Sequence, residues 1–476
     1  MRKWTKICFA ALLALCVVSC EDDNKEVEKT TPRVQLPAKE LRGVWMATVW
    51  GLDWPSSHDA AQQKQQYIDY LDLFAANNIN AVFVQVRGMA DAFYPSQYEP
   101  WSKTLTGVAG QDPGYDVLAF MIEEAHRRGI AFHAWMNPYR IATRAAKTDK
   151  FPELPASIPQ AWVNDYSTIR VYNPALPEVQ QRIVDIVKDV VTKYDVDGIH
   201  FDDYFYPELI TDTIVDTTEY KLYGKDKYKY GGEFRRSNVD KVVKNVHDAI
   251  QAIRPDVVFS ISPAANNETN YNKLYADVVK WSQEGWMEMI IPQLYFATGS
   301  ASTSFNQRLH WWSQFTYNNA LMVGYGIYKF GDAAQGAVYQ TAADLQQQFD
   351  FAATRPKVKG SVLYSAKNLK ENKVGIMDII KQVYAHPALL PYLKKQPMVQ
   401  PATPTDLQLS GNMLTWKSGT DVYYAVYRYN GEGQVATLAG ITKEPRMQLT
   451  EKGTYFVTAL NDKNHAESEV SDMIKY

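Results

Sequence analysis

Hydrophobic and polar positions along this chain keep two rhythms in turn. From about residue 40, a short apolar run alternates again and again with a stretch whose apolar residues fall three to four apart. The runs occupy 41–50, 79–87, 130–137, 198–206, 257–265, 289–296, 321–328 and 360–366. Between them, YIDYLDLFAANN, YDVLAFMIEEAHRRG and PEVQQRIVDIVKDVVTKY carry helical spacing. The last opens with Pro177 just inside the helix start, where a missing N–H costs nothing. Strands that alternate with helices pair in parallel. Eight such units predict an α/β fold, a closed (β/α)8 TIM barrel with long loops, over residues 38–396. No Gly-rich phosphate turn follows the first strand, which argues against a dinucleotide fold.

The rhythm shortens after the Pro-rich stretch LLPYLKKQPMVQPATPTD, which reads as a linker. LQLSGNMLTWKS, VYYAVYRYN, QVATLAG and KGTYFVTALND are short alternating runs between turn residues. They predict a small all-β, immunoglobulin-like sandwich over 402–476, and their order resembles a fibronectin type III domain. At the other end, residues 1–19 have a basic start (Arg2, Lys3, Lys6) and an apolar run from Ile7 to Val18, too short to span a membrane. This is an export signal. Its VVSC ending resembles the lipobox of bacterial lipoproteins, which implies cleavage before Cys20 and lipidation of that residue. Residues 20–37 read as an acidic, solvated tether and resemble the acidic signal that sends some lipoproteins to the cell surface. Cys8 and Cys16 would leave with the signal, so disulfides are not expected to stabilise the mature chain.

Composition narrows the function. With 46% hydrophobic and 22% charged residues the chain is globular, and its net charge of −3 comes without any Lys/Arg-rich patch, which excludes nucleic acid as a partner. Twelve Trp and 31 Tyr supply rings with one polar edge, suited to stacking on sugars. Trp50, Trp54, Trp101 and Trp135 are the candidate platforms.

In a barrel the chemistry sits at the C-terminal ends of the strands. That filter discards Glu284 and Glu288, which precede the sixth run. It keeps Arg87 and Asp91 after the second, and His133, Asn137, Tyr139 and Arg140 around the third. His200, Asp202, Asp203 and Tyr204 end the fourth, Asn266 and Glu268 follow the fifth, and Gln293 and Tyr295 lie on the sixth. Tyr325, Tyr328, Tyr364 and Ser365 complete the set. Side chains alternate along a strand, so Ile199 and Phe201 should face helices while His200 and Asp202 face the barrel mouth. Asp202 is then the candidate nucleophile or charge stabiliser, and Asp203 is either the second acid after a bend or an anchor. For the general acid Asp203 stands first, then Asp91 and Glu268. Whichever acid lies among the aromatics should have a raised pKa.

Two other readings compete. His133, His200 and Asp202 could hold a metal for a carbohydrate hydrolase or deacetylase, but the chain has no H-x-H or H-E-x-x-H spacing. The barrel could also be a sugar-binding cup without catalysis. No G-x-S-x-G elbow is present, and no metal or other cofactor is expected.

RGVWMATVWGLDWP, VFVQVRGMADAFY, PWSKTLTG, PGYDVLAFMIEEAHRRGIAFHAWMNPYR, YDVDGIHFDDYFYP, FRRSNVD and GWMEMIIPQLYF, taken in order, resemble the glycosyl hydrolase-like 10 family over roughly residues 40 to 370. The resemblance implies a barrel, a sugar substrate, and site positions at Arg87, Asp91, His133, Asn137, His200, Asp202, Asp203 and Gln293. It also implies peptidoglycan glycan as one possible polysaccharide partner. GIHFDD is similar to the fourth strand of the alpha-amylase clan, which favours Asp202 as nucleophile. That clan keeps its acid after strand five, where SISPAANNETN offers only Glu268, and the chitinase-like pattern D-x-D-x-E fails at Tyr204. The expectation is therefore an envelope lipoprotein of the outer membrane, at the cell surface if the acidic signal acts, held through Cys20 and hydrolysing a polysaccharide with carboxylates.

Overall fold

The eight apolar runs form eight parallel strands: β1 (Leu41–Met46), β2 (Ala81–Arg87), β3 (Ala131–Met136), β4 (Gly198–Phe201), β5 (Val258–Ile261), β6 (Met289–Ile290), β7 (Ala320–Tyr325) and β8 (Val358–Tyr364). Each pairs with its sequence neighbours, and β8 returns to β1 to close the barrel. These elements come from a computed structural model that describes residues 34–207, 216–315, 317–393, 399–417, 419–420, 422–461 and 466–476. The expected export signal (1–19), Cys20 and most of the expected tether (20–37) lie outside the described residues.

The period of two sorts the strands into an inside and an outside. Leu41, Trp45, Phe83, Trp135, Met289, Met322 and Val362 pack together within the barrel. Val44, Val82, Val84, Ala134, Ile199, Phe201 and Ile261 face outward onto the helices. That layer consists of α1 (Ala60–Ala76), α2 (Val117–Arg127), α3 (Pro177–Lys193), α4 (Gly231–Ile253), α5 (Val278–Glu284), α6 (Phe305–Phe315), α7 (Ala343–Ala353) and α8 (Ile376–Val383). Asp59 and Asp116 cap α1 and α2 by accepting the N–H of Gln62 and Ala119 at 2.9 and 3.0 Å. Pro177 opens α3 as the spacing predicts.

Several strands stop sooner than their apolar runs. β5 and β6 end two residues before Pro263 and Pro292, which have no N–H to donate to a ladder. β4 ends at Phe201, leaving Asp202 just past the strand, and the chain bends at Asp203. The long connection after β3 folds into a three-stranded antiparallel sheet of Arg140–Thr143, Val163–Tyr166 and Ile169–Tyr172, which the apolar pattern did not predict.

The C-terminal residues form two small antiparallel sheets. β9 (Thr405–Ser410), β10 (Met413–Lys417) and β13 (Arg446–Gln448) make one, in the order β9-β10-β13. The other runs β12-β11-β14-β15, from β11 (Val422–Tyr429), β12 (Thr437–Thr442), β14 (Thr454–Asn461) and β15 (Ile474–Lys475). Leu414, Trp416, Tyr424, Val426 and Val457 fill the core they share. Tyr427 and Phe456 face the other way and pack with Leu389, Val34 and Leu36. Leu389 accepts the N–H of Glu40 at 2.8 Å, directly before β1 begins. This unit and the start of the described chain therefore gather at the end of the barrel opposite its mouth.

Inside the barrel, large rings require bare backbone beside them. A Cβ on Gly198 would lie 2.1 Å from Nδ1 of His133, and one on Gly324 would lie 2.9 Å from the Trp45 ring. Gly198→Ala should accordingly cost about 1–3 kcal/mol of stability through overpacking. Urea unfolding followed by tryptophan fluorescence would measure it, and an unchanged midpoint would show that the interior can give.

Candidate active site

β4 turns Ile199 and Phe201 into the helix layer and His200 and Asp202 inward. Asp202 is 2% exposed, and a carboxylate so far out of water needs donors. Trp135 Nε1 donates to its Oδ2 at 3.0 Å, and Asn137 Nδ2 to the same oxygen at 3.3 Å. The Tyr204 N–H donates to Oδ1 at 3.3 Å. Burial pushes the Asp202 carboxyl above the usual range, while the Arg140 guanidinium and these three donors hold it back.

Asp203 meets the same site from the bend. Its half-buried side chain is hydrogen-bonded by Gln293, a residue whose Nε2 also donates to the Ser262 carbonyl at 3.0 Å. Burial first, and then the charge of Asp202, push the Asp203 carboxyl up to about 7, against the opposing pull of Gln293 and Arg140. Two neighbouring acids thus differ in environment: Asp202 is sealed among three donors, and Asp203 stands at the half-exposed bend, poised to carry a proton near neutral pH.

Arg140 is placed by its neighbours. Asn137 Oδ1 accepts the N–H of Arg140 at 2.9 Å, and Arg140 Nε donates to the Gly88 carbonyl at 3.0 Å. Its guanidinium lies 4.7 Å from the ring of Tyr204, which is 48% exposed. Across the mouth, the half-buried Tyr295 and Tyr364 stack at 5.8 Å, and Tyr328 stands edge-on to both. Burial, then Tyr364 and the charge of Asp203, raise the Tyr295 hydroxyl pKa, which puts this cluster beside the acid pair.

The structure therefore brings Asp202, Asp203, Asn137, Arg140, Tyr204, Gln293 and Tyr295 together. It sends other expected site residues elsewhere. Arg87 is a correction: a register shift between Gln85 and Arg87 turns it outward, where it forks onto Glu99 and donates to the carbonyls of Asn137 and Pro138. Tyr139 is fully buried in the barrel–helix core rather than at the mouth. His133 stacks on Phe83 at 4.3 Å in the interior, where burial lowers its pKa to about 4. His200 is spent between Trp45 Nε1 at 3.1 Å and Ser260 Oγ at 2.8 Å. Neither histidine can hold substrate from there. Among the described residues no three His, Cys, Asp or Glu side chains gather into a metal-binding group, so the zinc reading finds no ligand set.

Asp91 accepts the Met89 N–H on the β2 loop and acts on Glu99, and Glu268 is exposed beside the helix cap formed by Asn266. Trp54 is buried with its Nε1 on the Gln63 carbonyl, and Trp101 is half-buried against the barrel–helix core. Trp50 alone of the four expected platforms is broadly open, at 61%. Trp135 serves instead as a hydrogen-bond donor to Asp202. Asp53 was not foreseen. It accepts from Ala47 N, Ser365 Oγ and Lys367 N, tying the end of β1 to the end of β8, and its place in the loop after the first run was the signal that could have found it.

A parallel barrel with two unlike carboxyls among aromatic rings at its mouth is a glycoside hydrolase architecture. Residues 40–340 match the glycosyl hydrolase-like 10 family, and the chain belongs to that family. It is 38% identical to glycosyl hydrolase YngK of Bacillus subtilis, over 91% of this chain and 92% of that protein. It is 32% identical to glycosyl hydrolase DigH of Escherichia coli, over 74% of this chain and 90% of that protein. Among solved structures, the PgaB (BpsB) glycoside hydrolase domain of Bordetella bronchiseptica aligns over 72% of this chain and 99% of its own, at 11% identity and a TM-score of 0.48.

Two outcomes follow from this geometry. Arg87→Leu strands the buried Glu99 carboxylate and should cost about 3–5 kcal/mol of stability. A direct substrate contact at Arg87 would appear instead as a raised KM in a protein that melts normally. For Asp203, the raised pKa means the proton is present below about pH 7 and lost above it. Turnover that needs this proton should fall as pH rises through 7, and Asp203→Asn should remove that alkaline limb along with most of the rate. A pH profile of kcat/KM on wild type and variant reads both.

Proposed function

We propose that this protein is a lipid-anchored enzyme of the cell envelope, outer-membrane and surface-facing, that hydrolyses glycosidic bonds of a polysaccharide, with peptidoglycan glycan strands as the first substrate to test. The observation that carries the reading is the division of labour between Asp202 and Asp203. Asp203 holds a proton near neutral pH and can pass it to the departing glycosidic oxygen. Asp202, surrounded by donors, serves as the anion beside the positive charge that develops at the anomeric centre. Tyr204, Tyr295, Tyr328 and Tyr364 offer ring faces and hydroxyls to sugar units, and Arg140 and Gln293 fix the two acids.

The anchor reading rests on the leader sequence and Cys20. Packing of Val34 and Leu36 at the closed end of the barrel supports it, because a tether leaving there carries the mouth away from the membrane. The three-plus-four strand order of the C-terminal sheets supports a fibronectin type III-like unit, placed at that same end as a spacer. The names of the two relatives support hydrolysis of a glycan by this chain as well.

Incubation of the full chain with sacculi, glycan strands stripped of stem peptides, and a panel of other polysaccharides should release fragments seen by mass spectrometry. Asp202→Asn should lower release by roughly 10³-fold or more while glycan binding persists. Product from stripped strands alone makes this a cell-wall enzyme; product from another glycan alone makes it a nutrient enzyme. Tight binding without product from any glycan would replace hydrolysis by a sugar-binding cup. Cys20→Ser should move the protein from the membrane to the soluble fraction; an unchanged distribution would remove the lipid anchor.

A further inference from the structure

Outside the acid pair, one other place on the surface gathers rings and hydrogen-bonding groups. Tyr98 comes from the loop after β2, Trp162 from the long connection after β3, and Glu178, Gln181, Arg182 and Asp185 from the first half of α3. Together they line an open cleft of about 640 Å³, a volume typical of ligand sites. α3 presents this face because its apolar residues are turned the other way. Val179, Ile183, Ile186 and Val187 are buried in the barrel–helix core, which leaves 178, 181, 182 and 185, at the spacing i, i+3, i+4 and i+7, as one outward stripe ~10 Å long.

Arg182 gives the cleft a fixed shape. Its guanidinium lies over both rings, 5.2 Å from the centre of Tyr98 and 5.3 Å from that of Trp162, and donates to the carbonyls of Tyr98 and Ser157 at 3.3 and 2.7 Å. The backbone of Trp162 is held as well, its N–H on the Pro159 carbonyl at 3.0 Å and its own carbonyl accepting the Asn173 N–H at 2.7 Å. The rings are therefore set before a ligand arrives, and little ordering remains to oppose binding.

We infer that this cleft is a second, non-catalytic glycan site that holds uncharged, hydroxyl-rich sugar units. The half-buried rings of Trp162 and Tyr98 offer surface for stacking on sugar rings, while the indole N–H and the phenol hydroxyl pair with hydroxyls at the sugar edge. The exposed Glu178 carboxylate accepts further hydroxyl protons. Gln181 donates through Nε2 to Asp185 Oδ1 at 2.8 Å and keeps its amide oxygen for another. Two carboxylates beside one guanidinium already committed to carbonyls disfavour an anionic sugar. A protein partner would want an apolar floor, and apart from the two rings Pro177 is the one aliphatic residue in the lining. The position suits a long polymer. Tyr98 directly precedes Glu99, which grips Arg87, and Arg87 holds the Asn137 carbonyl at the end of β3. A chain held in the cleft is thereby kept on the flank of the barrel that adjoins the acids.

The test is native electrophoresis of the full chain through gels carrying mixed-linkage β-glucan, galactomannan or xyloglucan, with polygalacturonate as the charged comparison. At least one neutral polymer should retard the wild type. Trp162→Ala should weaken that affinity roughly 10-fold or more and Glu178→Ala about 5-fold, whereas Tyr204→Ala, at the mouth, should keep it. Trp162→Phe retains a ring and should restore most of the loss. Thermal melting separates lost binding from lost folding, and Glu178→Ala, on the exposed face of α3, carries the test if Trp162→Ala unfolds. No retardation by any polymer, retardation untouched by the cleft variants, retardation lost in Tyr204→Ala, or Trp162-dependent retardation by polygalacturonate alone would each overturn the inference. If no glycan is hydrolysed while Trp162-dependent retardation persists, the hydrolase reading fails and the second site stands.

Discussion

Taking one carboxylate out of water at the end of a barrel strand is the constraint on which the rest of this site depends. Asp202 can stay buried only while donors reach it, and β3 supplies them from Trp135 within the strand and Asn137 just past its end. Asn137 cannot turn its amide to Asp202 unless its own oxygen is satisfied, and it accepts the N–H groups of Tyr139 and Arg140. That bond pair turns the chain and brings the Arg140 guanidinium toward both acids. The Asn137 carbonyl is held in its turn by Arg87, and Arg87 by Glu99, with Tyr172 of the inserted sheet donating to Glu99 at 3.4 Å. The chain of bonds runs from the mouth to the helix layer, so a residue far from the mouth can still set the geometry of the two acids.

The interior below the acids is arranged to be neutral. Trp45 Nε1 can only donate, so His200 Nε2 accepts, and the remaining proton of the ring sits on Nδ1 and goes to Ser260 Oγ. Burial holds the His200 pKa well below its usual value, and His133 beside it is neutral for the same reason. No imidazolium therefore sits under Asp202 to stabilise its charge. Arg140 is the cation that acts on the acid pair, and it acts on both, which leaves burial and then the negative field of Asp202 to raise Asp203. Had either histidine been charged, the proton on Asp203 would be lost at lower pH and the pair would no longer divide acid from anion.

Much of this was legible in the amino-acid sequence because it depends on periodicity. The eight apolar runs, their alternation with helical stretches and the inward side of His200 and Asp202 all follow from a period of two set against one of 3.6. Depth and register were not legible. Arg87 reads as an inward residue until a single irregularity between Gln85 and Arg87 shifts its face, and a slip of one position reverses every side chain beyond it. His133 and His200 point inward as alternation requires, yet whether an inward residue reaches the mouth or stays in the packed interior depends on strand stagger, which no local pattern records. Asp203 is the converse case. Alternation alone would turn it outward, and only the end of the ladder at Phe201 frees the chain to bend it back beside Asp202.

The same termination of β4 explains why the two acids can differ. While strand pairing continues, successive side chains are forced to opposite faces and could not share a site. Once pairing stops, Asp202 keeps the inward direction of the strand and its bed of donors, and Asp203 is released to the half-exposed rim near Gln293 and the tyrosines. A proton donor has to meet both substrate and water, so it cannot be sealed in; an anion that steadies a positive centre gains from every layer of protein that excludes water around it. In the proposed hydrolysis, one strand end, cut one residue before the first acid, meets both demands with neighbouring residues.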